Sequence, residues 1–144
     1  MTKKAAKDVV IDTNVMRLYD SPKDKVFKLF FKWLRTKGTL TMSKKLLIEY
    51  GGTGNQKIFI LINELQRNGR YNLVDSNVLK SFNHDKNFSY TCNNKDKYHA
   101  KLVFLSYRKR LIAFDNAFVN DVNLYPKVNG IKPCACKSPS NCCY

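Results

Sequence analysis

The feature of the sequence that most constrains its fold is the alternation of short apolar segments with helical patterns. Four segments have the length and the apolar composition of β-strands: 9–12, 40–42, 71–74 and 111–114. Apolar residues recur at helical spacing between them, over 23–37, 56–68 and 94–108. Strands that alternate with helices are typical of a parallel sheet covered on both faces. We therefore predict an α/β fold with three layers, α/β/α, around a central, mostly parallel sheet.

The chain of 144 residues is long enough for one domain, and its turn-forming residues indicate where that domain ends. After Tyr125 come Pro126, Asn129-Gly130 and Pro133, which favour turns over regular structure. We therefore predict one packed domain over 1–128 and a tail over 129–144. The tail holds four of the five cysteines, and this crowding differs from the even spread in a disulfide framework, so we expect reduced thiols.

The charge of the chain restricts its partners. Twenty-six Lys and Arg residues against eleven Asp and Glu residues give a net charge of +15. This balance favours a polyanionic partner, most simply nucleic acid, with an anionic membrane surface or an acidic protein as alternatives. The longest apolar run, 58–62, is far shorter than the about 20 residues of a spanning helix, and the basic N-terminus has no apolar stretch for a secretory signal. We expect a cytoplasmic protein that does not span a membrane.

Acidic residues follow the predicted strands at the edge where parallel α/β sheets bind ligands. Asp12 and Asp115 stand at the ends of two strands. Glu49 lies in a helix that begins after Ser43, a natural N-cap, and Asp96 lies in the first turn of another predicted helix. We expect these carboxylates to gather at one edge of the sheet.

Carboxylates gathered at one edge repel one another unless a cation neutralises them, and oxygen ligands of this kind suit Mg²⁺ or Mn²⁺. Such an ion can activate water for an in-line displacement at phosphorus. An acidic centre with a basic surround therefore predicts a metal-dependent nuclease. Its predicted catalytic residues and metal ligands are Asp12, Glu49, Asp96 and Asp115.

Each of these acids also has a structural interpretation. Asp12 and Asp115 can be turn or N-cap residues, Asp96 can stabilise a helix N-terminus, and Glu49 can be a solvated helix residue. We prefer the metal site because the four occur as an ordered set. Asp75, which also follows a strand, is a fifth candidate.

At these residues the sequence resembles the PIN-domain ribonucleases, which include the toxins of many bacterial toxin–antitoxin pairs. The resemblance extends from about Asp8 to Leu124 and depends on four motifs. The first two are Asp12-Thr13-Asn14 after an apolar strand and Glu49 six residues after Ser43. The other two are Asp96 with Ala100, and Asp115 with Phe118 after a second apolar strand. The resemblance implies a PIN-like nuclease domain over 1–128 that cuts RNA with metal-activated water and leaves 5′-phosphate and 3′-hydroxyl ends. It implies that three aspartates hold the ion, that Glu49 helps to bind it or orients water, and that Asn14 and Ser43 support the ligands.

The resemblance also implies partners. The substrate would be single-stranded or loop RNA, and a toxin would need a cognate antitoxin that covers the acidic edge with a basic side chain. The chain departs from the family pattern at Ala113 and Ala117, where Thr or Ser and Asp are usual, and Asn116 and Asp121 are the candidates to replace those oxygens.

Two other classes of function stay open. One is a non-catalytic, basic RNA-binding module that keeps the PIN-like fold without metal affinity. The other is an unrelated protein whose acids are helix caps and whose charge binds ribosomes, DNA or an acidic partner.

Further side chains allow weaker predictions. His99, three residues after Asp96, is expected to be a packing or surface residue rather than a ligand or general acid. Lys97, Lys101 and Arg108 form a basic stripe at helical spacing, which is either a solvated face or an RNA contact. The aromatic side chains of 23–37 are expected in the core, or at a homodimer or partner surface.

The tail carries Cys134, Cys136, Cys142 and Cys143, enough thiolates for a structural Zn²⁺ ion. Their arrangement resembles a shortened SecA-type C-terminal zinc motif. Because the loop is shortened, we favour a flexible, oxidation-prone tail over a zinc site.

Overall fold

A computed structural model describes residues 6–140 of the chain. Its strands are β1 (Asp8–Ile11), β2 (Thr39–Ser43), β3 (Tyr71–Val74), β4 (Arg110–Ile112) and β5 (Cys134–Cys136). They form one sheet in the order β3-β2-β1-β4-β5, and every neighbouring pair is parallel. The predicted α/β class with a central parallel sheet is confirmed.

Helices connect the strands and cover the sheet. They are α1 (Thr13–Met16), α2 (Lys25–Thr36), α3 (Lys44–Gly52), α4 (Gln56–Arg67), α5 (Ser76–Ser81), α6 (Asn94–Leu105) and α7 (Asn116–Leu124), with a 3-10 turn at Arg17–Tyr19. α2 and α3 contact α4, whereas α6 contacts α5 and α7. Since crossovers between parallel strands are right-handed, the reversal of strand order at β1 puts these two groups on opposite faces, which is consistent with three layers.

The core lies between the sheet and these helices. β1 is central and buried along its whole length, which explains why 9–11 is a continuous apolar run rather than an alternation. α2 begins where the carboxylate of Asp24 accepts a hydrogen bond from the Val26 amide (2.7 Å), and its apolar face is buried. That face consists of Phe27, Phe30, Phe31 and Leu34, as the helical spacing predicts.

The sheet continues past residue 128, where the turn-forming residues predict the end of the packed domain. Cys134–Cys136 pairs with β4 as a fifth parallel strand, and Ala135 is buried against the core. The side-chain amide of Asn123 in α7 fixes this strand, because it donates to the Ala135 carbonyl (2.9 Å) and accepts from the Ala135 amide (2.7 Å). Residues 134–136 of the predicted tail therefore belong to the sheet.

The cysteine predictions have a mixed outcome. Cys136 is disulfide-bonded, so the expectation of reduced thiols is wrong at this residue. Cys142 and Cys143, which the less favoured zinc site would also need, lie outside the described residues. Cys92 is a free, half-buried thiol.

The helix over 94–108 and the strand over 111–114 are both shorter than predicted. The buried carboxylate of Asp8 accepts hydrogen bonds from the amides of Tyr107 (2.7 Å) and Arg108 (2.9 Å), so the chain leaves the helix after Leu105. Lys109 then adopts a positive φ of 58° at the turn into β4. Because the Arg108 guanidinium also donates to the Asp8 carbonyl (2.7 Å), Arg108 holds β1 in place instead of extending a solvated basic stripe.

Within residues 6–140, none of the helices has both the length and the apolar character needed to cross a bilayer.

Candidate active site

The four predicted acidic residues line one cavity. It has a volume of about 310 Å³ and lies at the carboxyl ends of β1 and β4, where the strand order reverses. Asp12 follows β1, Glu49 comes from α3, Asp96 from α6 and Asp115 from the start of α7. The structure thus brings together side chains from four separate parts of the chain, as the sheet-edge argument predicts.

Asp12 and Asp115 occupy similar positions but make different contacts. The backbone of Asp12 joins β1 to β4 by donating to the Ile112 carbonyl (3.0 Å), and its side chain makes no cap hydrogen bond to α1. In contrast, Oδ1 of Asp115 accepts from the Phe118 amide (2.9 Å) and caps α7. The cap interpretation therefore applies to Asp115, whereas the mostly buried Asp12 carboxylate has no such structural task.

Glu49 is held by side chains on both sides of it. Ser43 caps α3 through the Leu46 amide (3.0 Å), which sets where the helix begins and where Glu49 falls. The Thr13 hydroxyl donates to Oε1 of Glu49 (3.0 Å), and Nε2 of His99 lies 2.7 Å from Oε2. Because these contacts fix both oxygens, Glu49 enters the cavity with a defined orientation.

Asp96 is positioned by the start of α6. Asn93 caps this helix through the Asp96 amide (2.8 Å), and both residues line the cavity. The segment just before the cap is anchored by buried Asp121, whose carboxylate accepts from the amides of Thr91 and Cys92, each at 2.9 Å. Asp121 therefore supports the site from outside and does not supply the oxygen that Ala117 lacks.

The electrostatics of the cavity oppose ionisation of two of the acids. Burial is the main cause that raises the pKa of Asp12, and the charge of Glu49 adds to it. Burial also raises the pKa of Asp96, and the neighbouring charges of Asp12 and Asp115 contribute further. The cluster of carboxylates therefore favours a nearby positive charge.

Basic side chains partly meet this need. Nζ of Lys95 lies 3.5 Å from Oε1 of Glu49, and Lys95 and Arg17 both line the cavity. Interactions with His99 and Lys95 act to lower the pKa values of Asp12 and Asp96.

The donor set fits a hard divalent cation, since the acids that line the cavity offer only oxygen. Nevertheless, in the part of the chain that the structure describes, no three Asp, Glu, His or Cys side chains are already arranged around one point as ligands. Mutual repulsion accounts for this, because carboxylates without a cation between them are more stable apart. We expect side-chain rotation to accompany binding of an ion.

Some predicted candidates lie elsewhere. Asp75 caps α5 through the Asn77 amide (2.7 Å) and is not among the cavity residues, nor is exposed Asn116. In the predicted basic stripe, Lys97 lies over the Tyr90 ring (5.1 Å from its centroid), and Lys101 is 3.9 Å from Asp85.

Two contributors to the site were not predicted as such. His99 is almost fully buried, as a packing residue would be, but its ring also binds the Glu49 carboxylate. Thr13 belongs to the Asp12-Thr13-Asn14 motif, which by itself assigns the hydroxyl no contact with Glu49. For His99, the sequence signal is its position three residues after Asp96 on the same helix.

The sequence matches no protein-family model and none of the curated proteins with which it was compared. The likeness to PIN-domain ribonucleases therefore depends on the motifs of this chain and on where they lie in the fold.

Proposed function

We propose that this chain is a PIN-like endoribonuclease that cuts RNA phosphodiester bonds with the help of Mg²⁺ or Mn²⁺. The observation that carries the proposal is the convergence of Asp12, Glu49, Asp96 and Asp115 on one cavity at the sheet edge. A parallel sheet with helices on both sides, with the first acid after the central strand, is also what the family resemblance implies.

The chain's residues have distinct roles in this proposal. Asp12, Asp96 and Asp115 would hold the ion, and Glu49, fixed by Thr13 and His99, would orient the attacking water. A bound divalent cation supplies activation of water and neutralisation of phosphate charge. The water oxygen bonds to phosphorus as the bond to the 3′ oxygen breaks. One water proton ends on that oxygen, which gives 5′-phosphate and 3′-hydroxyl products.

The distribution of charge supports a polyanionic substrate. Arg17 and Lys95 stand beside the acids in the cavity, and the whole chain carries a net charge of +15. Cationic side chains around an acidic centre can bind phosphates on either side of the scissile bond. The choice of RNA over DNA comes from the resemblance.

The same resemblance makes this nuclease a candidate toxin of a toxin–antitoxin or defence system. A basic side chain from an antitoxin would neutralise the acidic cavity. The chain offers an internal analogue of this contact, because the Lys95 ammonium already pairs with Glu49.

A second candidate function is a non-catalytic RNA-binding module. The contacts of Glu49 favour it: its two oxygens already have His99 and Lys95 as partners without a metal ion. In that case the basic surface would bind RNA, and the acids would have only structural roles.

Cleavage of a mixed RNA pool distinguishes the two candidates. The protein is incubated with Mn²⁺ or with a chelator, and the ends of the RNA products are mapped. We expect cuts with 5′-phosphate ends in Mn²⁺ only, and loss of these cuts in Asp115→Asn.

Asp75→Asn is a matched control, since Asp75 also follows a strand and caps a helix but lies away from the cavity. Both substitutions remove one charge and keep a side chain that can cap. RNA binding without cleavage, equal in all three proteins, would support the non-catalytic module and contradict the nuclease.

A further inference from the structure

A large aromatic side chain is exposed directly beside the acidic cavity. Phe114, the residue before Asp115, is 39% exposed at the carboxyl end of β4. Its ring meets the ring of Phe27 edge to face, with centroids 5.9 Å apart. Phe27 is itself buried in the core, so Phe114 has a rigid support on one side while much of its surface stays open to a ligand.

A second cavity lies next to this aromatic pair. It has a volume of about 390 Å³, and its walls include Leu18, Lys23 and Phe27. Residues of the two cavity walls are consecutive in the chain at two places. Arg17 lines the acidic cavity and Leu18 the apolar one; Asp115 lines the acidic cavity and follows Phe114, whose ring contacts Phe27 in the apolar wall. The acidic cavity, which would hold the scissile phosphate, and the apolar surface are thus built from consecutive residues of the chain.

We propose that Phe114, supported by Phe27, is a stacking subsite for an unpaired nucleobase next to the scissile phosphate. This inference deepens the proposed ribonuclease function and rests on it for the position of the phosphate. Stacking of a base on an aromatic ring tolerates any sequence, because every base has a π face. A base in a duplex is already stacked on its neighbours, so the subsite selects single-stranded RNA.

The charges around the subsite favour a nucleotide over an apolar protein side chain. Arg17 lies on the acidic side of the junction and Lys23 on the apolar side, and both are exposed. The carboxylate of Asp24, also in the apolar cavity wall, is occupied in capping α2. A cation in the wall of each cavity suits the phosphates that alternate with bases in a single strand.

The test uses single-stranded RNA oligonucleotides that carry 2-aminopurine, whose fluorescence falls when the base stacks. Binding is measured with the full chain in chelator, so that no cleavage is needed. We expect quenching with the wild type and with Phe114→Tyr, and weaker binding by about 10-fold with loss of quenching in Phe114→Ala. Phe59→Ala is the matched control, since Phe59 is a similarly exposed phenylalanine (49%) on α4.

The outcomes separate the subsite from the nuclease. If Phe114→Ala binds and quenches like the wild type, the subsite is refuted, whether or not the protein cuts RNA. If quenching depends on Phe114 but no protein cuts RNA in Mn²⁺, the subsite stands as an RNA-binding feature and the nuclease proposal fails. A thermal melt of each variant shows whether it is folded. If Phe114→Ala is unfolded, the test uses Phe114→Tyr instead. A folded Phe114→Tyr that does not quench 2-aminopurine refutes the subsite.

Discussion

The acidic cavity predicts that one substitution stabilises the protein without metal and destabilises it with metal. Asp96→Asn removes a charge from a residue that is 8% exposed and whose pKa is raised by burial and by the charges of Asp12 and Asp115. Relief of repulsion in a partly buried cluster is worth about 1–2 kcal/mol. The substitution also removes a negative charge from the first turn of α6, where it interacts favourably with the helix dipole. This loss should lower stability by about 0.3–1 kcal/mol.

The expected net gain for Asp96→Asn in chelator is about 1 kcal/mol, or about 2–4 °C in thermal midpoint for a chain of this size. With Mn²⁺ at about 100 times its dissociation constant, the wild type should gain about 2.7 kcal/mol that the variant lacks, so the order of stability reverses. Thermal melts of both proteins in chelator and in Mn²⁺ measure this crossover. Asp75→Asn, away from the cavity, should show no such reversal.

The sign of the pH dependence provides a second readout of the same substitution. Because the folded protein raises the pKa of Asp96 above its ordinary value of 3.8, ionisation is costlier in the folded than in the unfolded state. In chelator, wild-type stability should therefore fall as the pH rises from 3.8 through the raised pKa, and less so in Asp96→Asn. The account of the cavity is refuted if the wild type and Asp96→Asn show the same dependence of stability on pH in chelator and their order of stability does not reverse in Mn²⁺.

Other residues give independent predictions. Asp121→Ala leaves the partly buried amides of Thr91 and Cys92 without their acceptor and should lower the free energy of unfolding in urea by about 1–3 kcal/mol. Burial acts to raise the pKa of Asp121, but hydrogen bonds from Thr91 and Cys92 outweigh burial and lower the pKa. The wild type should therefore lose the stability that ionised Asp121 contributes as the pH falls through this lowered pKa. An Asp121→Ala variant as stable as the wild type contradicts the anchoring role. Burial, with a further contribution from Asp121, raises the pKa of Cys92 to about 12, so iodoacetamide should label it far more slowly in the folded than in the unfolded protein at about pH 8; equal rates contradict this. Thr13→Val removes the hydroxyl that orients Glu49 and should slow RNA cleavage by about 10–100-fold at an unchanged thermal midpoint, whereas unchanged cleavage shows that the contact has no catalytic role.

The central sheet could be predicted because its strands are either buried runs or segments bounded by clear turn signals. β5 could not, since Cys134–Cys136 is only three residues long, consists of small side chains and directly follows Pro133. Its strand conformation depends on pairing with β4 and on the side chain of Asn123, which are tertiary contacts. The end of α6 also depends on a distant residue, because Asp8 takes the amides that follow Leu105.

The acids of the candidate site were predictable for a related reason. Strand ends of a parallel sheet meet at one edge, so Asp12 and Asp115 had to be near each other once β1 and β4 were neighbours. The pairing of His99 with Glu49, 50 residues apart, depends on how α3 and α6 are rotated about their axes. Sequence periodicity shows which face of a helix is apolar, but it does not show which polar residues on two helices meet.

Binding of Mn²⁺ itself, followed by electron paramagnetic resonance as free Mn²⁺ is taken up, tests most directly whether these acids form one cation site. We expect the wild type and Asp75→Asn to bind Mn²⁺ with equal affinity, and Asp12→Asn and Asp115→Asn each to bind at least about 10-fold more weakly. Equal binding by all four proteins, or no uptake by any of them, would contradict a carboxylate site for a divalent cation and the nuclease proposal with it.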